Sequence, residues 1–232
     1  MIHILWCTLR PEQFKSMHSH WMQRAKNPEG IITHVGVNWQ KDIDALSTYL
    51  KPTDRSIITE TNGKIGVCLP SYLLSSTFNY DENDIIVFAS DDFLAPQNWD
   101  EYLISKLSGK QGGLFVRDGY QLPDSSNMLH PAITIPIMTG GCLTALNKAI
   151  YHPAYSHMFS DCELYLNLKG LNMLIDDRLT DMTTFEHHHY VTGKRQPDQA
   201  DAAYNKNWAV DQAMWNNRLK MSLQDRLLVN KI

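Results

Sequence analysis

The stretch Asp84-Ile85-Ile86-Val87-Phe88-Ala89-Ser90-Asp91-Asp92-Phe93 runs an apolar, β-branched segment straight into two adjacent carboxylates. A continuous run of this kind fits a strand buried on both faces, as in a parallel sheet. Open α/β sheets bind ligands in the crevice outside the carboxyl ends of their strands. Asp91 and Asp92 therefore fall where a ligand would sit. Hard divalent cations take oxygen ligands, and Mg²⁺ or Mn²⁺ is often held by one or two carboxylates plus substrate phosphates. The plainer reading is a strand, an acidic turn and a helix N-terminus, since Pro96 and Trp99-Asp100 follow.

Composition narrows the field around that strand. The chain has 232 residues, 43% apolar and 20% charged, which suits one large α/β domain or at most two small ones. That length buries a sizeable core. A net charge of −4 offers no bulk attraction for nucleic acid. No apolar run approaches the ~20 residues that span a bilayer. Met1 to Trp6 lacks a basic n-region and reads as a first strand rather than a signal peptide. Cys7, Cys68, Cys142 and Cys162 are scattered and form no CxxC pair, as expected of reduced thiols in a cytoplasmic protein.

Strand-like and helix-like segments alternate. The pattern predicts strands over 2–8, 31–37, 85–89, 113–117, 132–138 and 182–188. It predicts helices over 11–25, 42–50, 65–78, 98–107, 141–151, 159–168 and 205–220. Such alternation argues for a mostly parallel central sheet with helices on both faces.

Several loops carry polar chemistry in the same order as the strands. Thr8-Leu9-Arg10-Pro11-Glu12 opens the first helix, a natural nucleotide pocket. Asn62-Gly63-Lys64 permits close backbone approach at Gly63, though Asn-Gly is also an ordinary turn pair. Thr139-Gly140-Gly141 offers backbone amides near a substrate. Ser160-Asp161-Cys162-Glu163 places two carboxylates at i and i+2, so only one reaches a shared site, and either also suits a helix N-terminus. In His187-His188-His189 the outer two share one face of a strand and His188 takes the other. Gly193-Lys194-Arg195 forms either a phosphate clamp, led by Lys194, or a solvated basic turn.

Together these residues resemble the GT-A glycosyltransferases, particularly the inverting family 2-like group, over roughly residues 1–195. The resemblance rests on the Arg-Pro-Glu loop, the strand-end Ser90-Asp91-Asp92 with Pro96 and Trp99 after it, the later acids and the late histidines. It implies a single GT-A (Rossmann-like) domain: 1–92 binding a nucleotide sugar, 93–195 supplying the acceptor and catalytic half, and 196–232 a C-terminal helical segment. It implies transfer of a sugar from a nucleotide-sugar donor, by default a UDP-sugar, to an acceptor hydroxyl with inversion. Under it Asp92 and His187 or His189 hold Mn²⁺ or Mg²⁺, and Asp161, with Glu163 as alternate, is the base. Thr8, Arg10, Glu12, Asn38, Gly63, Asp91 and Lys194 contact the donor. Asn38 and Trp39 stand where family members often carry a base-reading Asp, and the metal motif is Ser-Asp-Asp rather than a strict Asp-x-Asp. The acceptor is expected to be a saccharide or glycoconjugate, or a hydroxymethylated pyrimidine in phage-type DNA. Two rival classes fit the same acids: a metal-dependent nucleotidyltransferase or nucleotide-sugar hydrolase, and a non-catalytic nucleotide-sugar-binding protein.

Overall fold

A computed structural model describes residues 1–59, 66–119, 131–181, 183–190, 193–197, 202 and 206–229. In chain order its elements are β1 (Ile2–Cys7), α1 (Pro11–Arg24), β2 (Ile31–Val37), α2 (Gln40–Ser47), β3 (Arg55–Ile58) and α3 (Cys68–Thr77). There follow β4 (Ile85–Ala89), β5 (Phe93–Leu94), α4 (Trp99–Leu107), β6 (Gly113–Phe115), β7 (Ile137–Thr139) and α5 (Gly140–Ala145). The chain continues through α6 (Ser160–Gly170), β8 (Leu174–Asp176), β9 (Glu186–His187), α7 (Trp208–Arg218) and α8 (Leu223–Leu227).

The main sheet has seven strands in the order β3-β2-β1-β4-β7-β6-β8. β1 pairs in parallel with both β2 and β4, with Ile4 opposite Thr33 and Val87. β7 runs antiparallel to β4 and β6, so the other six strands share one direction. Alternate residues of the central strands point to opposite faces. Ile4, Trp6, Val35, Val87 and Ile137 meet α1 and α4 residues such as Phe14, Trp21, Trp99 and Leu103 on one face. Leu5, Ile86, Phe88 and Met138 meet Leu74 of α3, Leu143 of α5 and Leu164 of α6 on the other. The sheet is thus mostly parallel and covered on both sides. Among the described residues no helix is long and apolar enough to cross a membrane.

The differences from the sequence reading have local causes. The strand expected over 132–138 starts only at Ile137, because Pro136 has no N–H to give a ladder. The helix expected over 141–151 stops at Ala145, and Asn147 and Lys148 then adopt left-handed backbone with φ of 52° and 60°. α3 tolerates Pro70 because it lies in the first turn, whose N–H groups have no intrahelical partner. β3, β8 and the two-residue β5 escaped the pattern because each is too short to show a period. Met182 and Asn205, expected starts of a strand and a helix, lie outside the described residues.

Candidate active site

β1, β2 and β4 end at the same edge of the sheet, and the loops leaving them enclose a cavity of about 220 Å³. Thr8 and Arg10 line it from the loop after β1, Asn38 from the end of β2, and Asp91 and Asp92 from the end of β4. Asp161 joins them from the first turn of α6, with His187, His189 and Arg195 from the later chain.

The two neighbouring acids are held quite differently. Asp91 turns back toward β1: one oxygen accepts the Trp6 indole N–H at 2.7 Å and the other the Thr8 hydroxyl at 2.9 Å. Burial lifts its carboxyl to about 6, against the pull of those two bonds and of Arg10. Asp92 faces His187 and Arg195. Its Oδ2 lies 3.3 Å from His187 Nε2 and 3.8 Å from the Arg195 guanidinium, and Ser90 donates to Oδ1. Burial alone would raise Asp92, but the bond and charge of His187, with Ser90 and Arg195, hold it down at about 2.

The small second sheet explains why His187 reaches Asp92. β5 follows the acids directly and pairs antiparallel with β9, placing Phe93 opposite His187. The two rings stack at 4.1 Å. The Trp21 indole donates to the Phe93 carbonyl at 2.8 Å, and Trp99 donates to the Trp21 carbonyl at 2.8 Å, tying β5 to α1 and α4. His188 alternates to the other side, 3.5 Å from Glu186. His187 and His189 are the pair at the cavity.

Asp161 lies in the first turn of α6, where the Cys162 N–H donates to its Oδ1 at 2.8 Å. Burial raises its carboxyl above the ordinary range, opposed mainly by that backbone bond. Phe159, two residues earlier, also lines the cavity and has a φ of 66°. A bulky residue rarely enters that region, and strained backbone of this kind costs about 1–3 kcal/mol.

Other expected site residues lie elsewhere. Glu163 is 1% exposed and turned away from the cavity: Arg218 of α7 grips it bidentately at 2.7 and 2.8 Å, and the Tyr155 hydroxyl donates to it at 2.7 Å. Its i+2 offset from Asp161 sends it inward, into this ion pair and away from the cavity that Asp161 lines. Glu12 points to solvent and pairs with Lys15 at 2.8 Å. Lys194 pairs with Glu186, and it is its neighbour Arg195 that lines the cavity. Gly140 and Gly141 stand at the opposite edge of the sheet, because β7 is antiparallel and pairs Thr139 with Ile85 at the start of β4. Trp39 is exposed and packs under Lys41. Gly63 lies outside the described residues, although Gly66 and Val67 just after it line the cavity. Nothing in the sequence pattern marks Tyr151, His157 or Tyr190, which also line it. Isolated aromatics read as core until the fold brings them to an edge.

Among the described residues no group of three His, Cys, Asp or Glu gathers as a complete metal cage. Asp92 Oδ2 and His187 Nε2, at 3.3 Å, nonetheless stand close to the separation of about 3 Å between adjacent ligands of an octahedral cation with ~2.1 Å bonds. Two protein ligands with open positions suit an ion that also binds substrate phosphates.

No known family profile matches the sequence, and no curated protein does. Solved structures do. TarS 1–349 from S. aureus, determined with UDP, is 12% identical over 97% of this chain and 76% of that one, with a TM-score of 0.57. The longer S. aureus TarS chain is 11% identical over 97% of this chain and 46% of its own, also at 0.57. Glucosyl-3-phosphoglycerate synthase from Mycobacterium tuberculosis, in complex with phosphoglyceric acid, is 16% identical over 93% and 80%, with a TM-score of 0.56. The chain has the GT-A fold of these glycosyltransferases.

Proposed function

We propose that this chain is a glycosyltransferase that moves a sugar from a nucleotide-sugar donor, a UDP-sugar by preference, to a hydroxyl of a saccharide or glycoconjugate with inversion. One observation carries the reading: the adjacent Asp91 and Asp92 meet Asp161, His187 and Arg195, from later segments, on one cavity at the carboxyl edge of a GT-A sheet. The UDP in the TarS structure supports a uridine nucleotide as the carrier. Residues 1–92 then form the donor half, 93–195 the acceptor and catalytic half, and 196–232 a C-terminal helical segment.

On this reading Thr8, Arg10 and Asn38 receive the nucleotide, and Asp91, already fixed by Trp6 and Thr8, aligns the ribose or sugar side. Asp92 with His187 or His189 would hold Mn²⁺ or Mg²⁺, which would supply Lewis-acid stabilisation of the diphosphate when bound. Arg195 adds positive charge beside Asp92, on the side of the departing group. Asp161 takes the proton of the acceptor hydroxyl as that oxygen bonds to the anomeric carbon and the bond to the diphosphate breaks. A carboxylate made more basic by burial suits this role, and such help is worth ~10²–10⁴ in rate. Attack on the face opposite the diphosphate inverts the anomeric centre.

The test is a panel of nucleotide sugars with Mn²⁺, followed by mass spectrometry of candidate acceptors. The expected products are an intact nucleoside diphosphate and an acceptor heavier by one sugar residue. A nucleoside monophosphate with a sugar phosphate, or no transfer from any donor, would contradict the assignment.

A further inference from the structure

Helix α7 takes no part in the chemistry above, yet it carries a buried acid with an unusual set of partners. Asp211 is 1% exposed, and its carboxylate accepts three consecutive backbone N–H groups, from Ser156, His157 and Met158, each at 2.8 Å. His157 and Met158 line the cavity, Phe159 follows them in its left-handed conformation, and Asp161 begins two residues later. The same helix also holds α6, through Arg218 on Glu163. Its Trp208 and Trp215 pack against the Phe159 ring, with centroids at 5.0 and 6.2 Å.

The tied loop is also wedged from the far side. The Ser156 carbonyl accepts the Val67 N–H at 2.9 Å, and a Cβ on Gly66 would stand 2.1 Å from that carbonyl oxygen. Gly66 and Val67 line the cavity as well. The backbone of 156–158 is therefore fixed between a charged anchor on α7 and a glycine that admits no side chain.

We infer that Asp211 is a positioning residue for sugar transfer: by gathering the 156–158 amides it sets the entry into α6 and so the placement of Asp161 and Phe159 at the acceptor side. The inference rests on reading Asp161 as the base. Charged hydrogen bonds from one carboxylate to three successive amides leave the loop little freedom. The donor residues Thr8, Asp91 and Asp92 hang from β1 and β4 and do not depend on this anchor.

The experiment uses the full chain with Asp211→Asn, which keeps one acceptor oxygen and the residue's size, and separately Gly66→Ala, which presses the loop from the other side. Amide hydrogen exchange, calorimetric UDP affinity with Mn²⁺, and kcat are measured for each. In Asp211→Asn the 156–158 amides are expected to lose protection while β1 and β4 keep theirs. UDP affinity should stay within about threefold while kcat falls ~10²-fold, the effect of moving a reacting group by about 1 Å. Gly66→Ala should lower kcat in the same direction. The inference is overturned if kcat is unchanged with the loop open, if UDP affinity falls in step with kcat, or if protection at 156–158 survives. A wild-type chain that transfers no sugar overturns the functional reading instead, and the exchange measurement still decides whether Asp211 holds the loop.

Discussion

Strand β4 has a carboxylate–histidine contact at each end, and the two ends have different surroundings. At its start Asp84 meets His3 at 3.2 Å, His3 meets His34 at 2.9 Å, and aromatic rings of Phe78 and Tyr80 close around them. At its finish Asp92 meets His187 at 3.3 Å, beside Arg195 and an open cavity. The same chemical pair is packed shut in one place and exposed to a ligand in the other. Burial pushes His34 down to about 3, so it is neutral at physiological pH. Asp92 is held ionised at about 2 by its contact with His187, with Ser90 and Arg195 beside it, against the opposing effect of burial. A carboxylate beside a histidine is thus no sign of function; access to a cavity and a poised charge are what separate the two ends.

Substitutions at the two ends should separate cleanly. The largest effect is expected from Asp161→Asn, across the cavity from the β4 acids, with kcat falling ~10²–10⁴-fold and nucleotide affinity nearly unchanged. Steady-state kinetics beside a UDP titration measures both, and retention of most activity would remove Asp161 as the base. Asp84→Asn should leave kcat alone and lower unfolding free energy by about 1–3 kcal/mol in urea titrations, as the carboxylate's bonds to His3 and to the Met1 amino group are weakened. A loss of catalysis there would break the contrast.

The closed end also predicts a pH dependence of stability. His34 takes its proton near 6.5 when unfolded and near 3 when folded, chiefly through burial and then through the charges of His3 and Arg55. Between those values the unfolded chain binds more protons, so the stability His34 contributes is full above about pH 6.5 and is lost on acidification. His18, lowered to about 4 by burial, adds a decline of the same sign. Equilibrium unfolding from pH 7.5 to 4.5 should show the decline, and His34→Gln should flatten it. The smallest effect belongs to Lys194→Met: its ion pair with Glu186 is exposed, and such pairs are worth about 0–1 kcal/mol. UDP affinity in that variant should stay within about twofold.

The open end was more legible in sequence than the closed one. An apolar strand ending in Asp91-Asp92 announces a sheet edge, and the Thr8–Pro11 loop and the histidine alternation follow from simple periodicities. What stayed hidden depended on strand direction and register. Gly140-Gly141 looked like a substrate loop until the antiparallel pairing of β7 carried it to the far edge. Glu163 stood as the alternate to Asp161 until the turn of α6 sent it inward to Arg218. His3, His34 and Asp84 lie far apart in the chain, and no local pattern joins them before the parallel register of β1 with β2 and β4 is known.

The central claim is that the acid at the open end of β4 engages a nucleotide diphosphate together with a divalent cation. Calorimetric titration of UDP into wild type, Asp92→Asn and Asp84→Asn, each with and without Mn²⁺, tests it most directly. The account predicts Mn²⁺-enhanced binding in wild type and Asp84→Asn, and loss of that enhancement in Asp92→Asn. Equal Mn²⁺-dependent affinity in wild type and Asp92→Asn would contradict it.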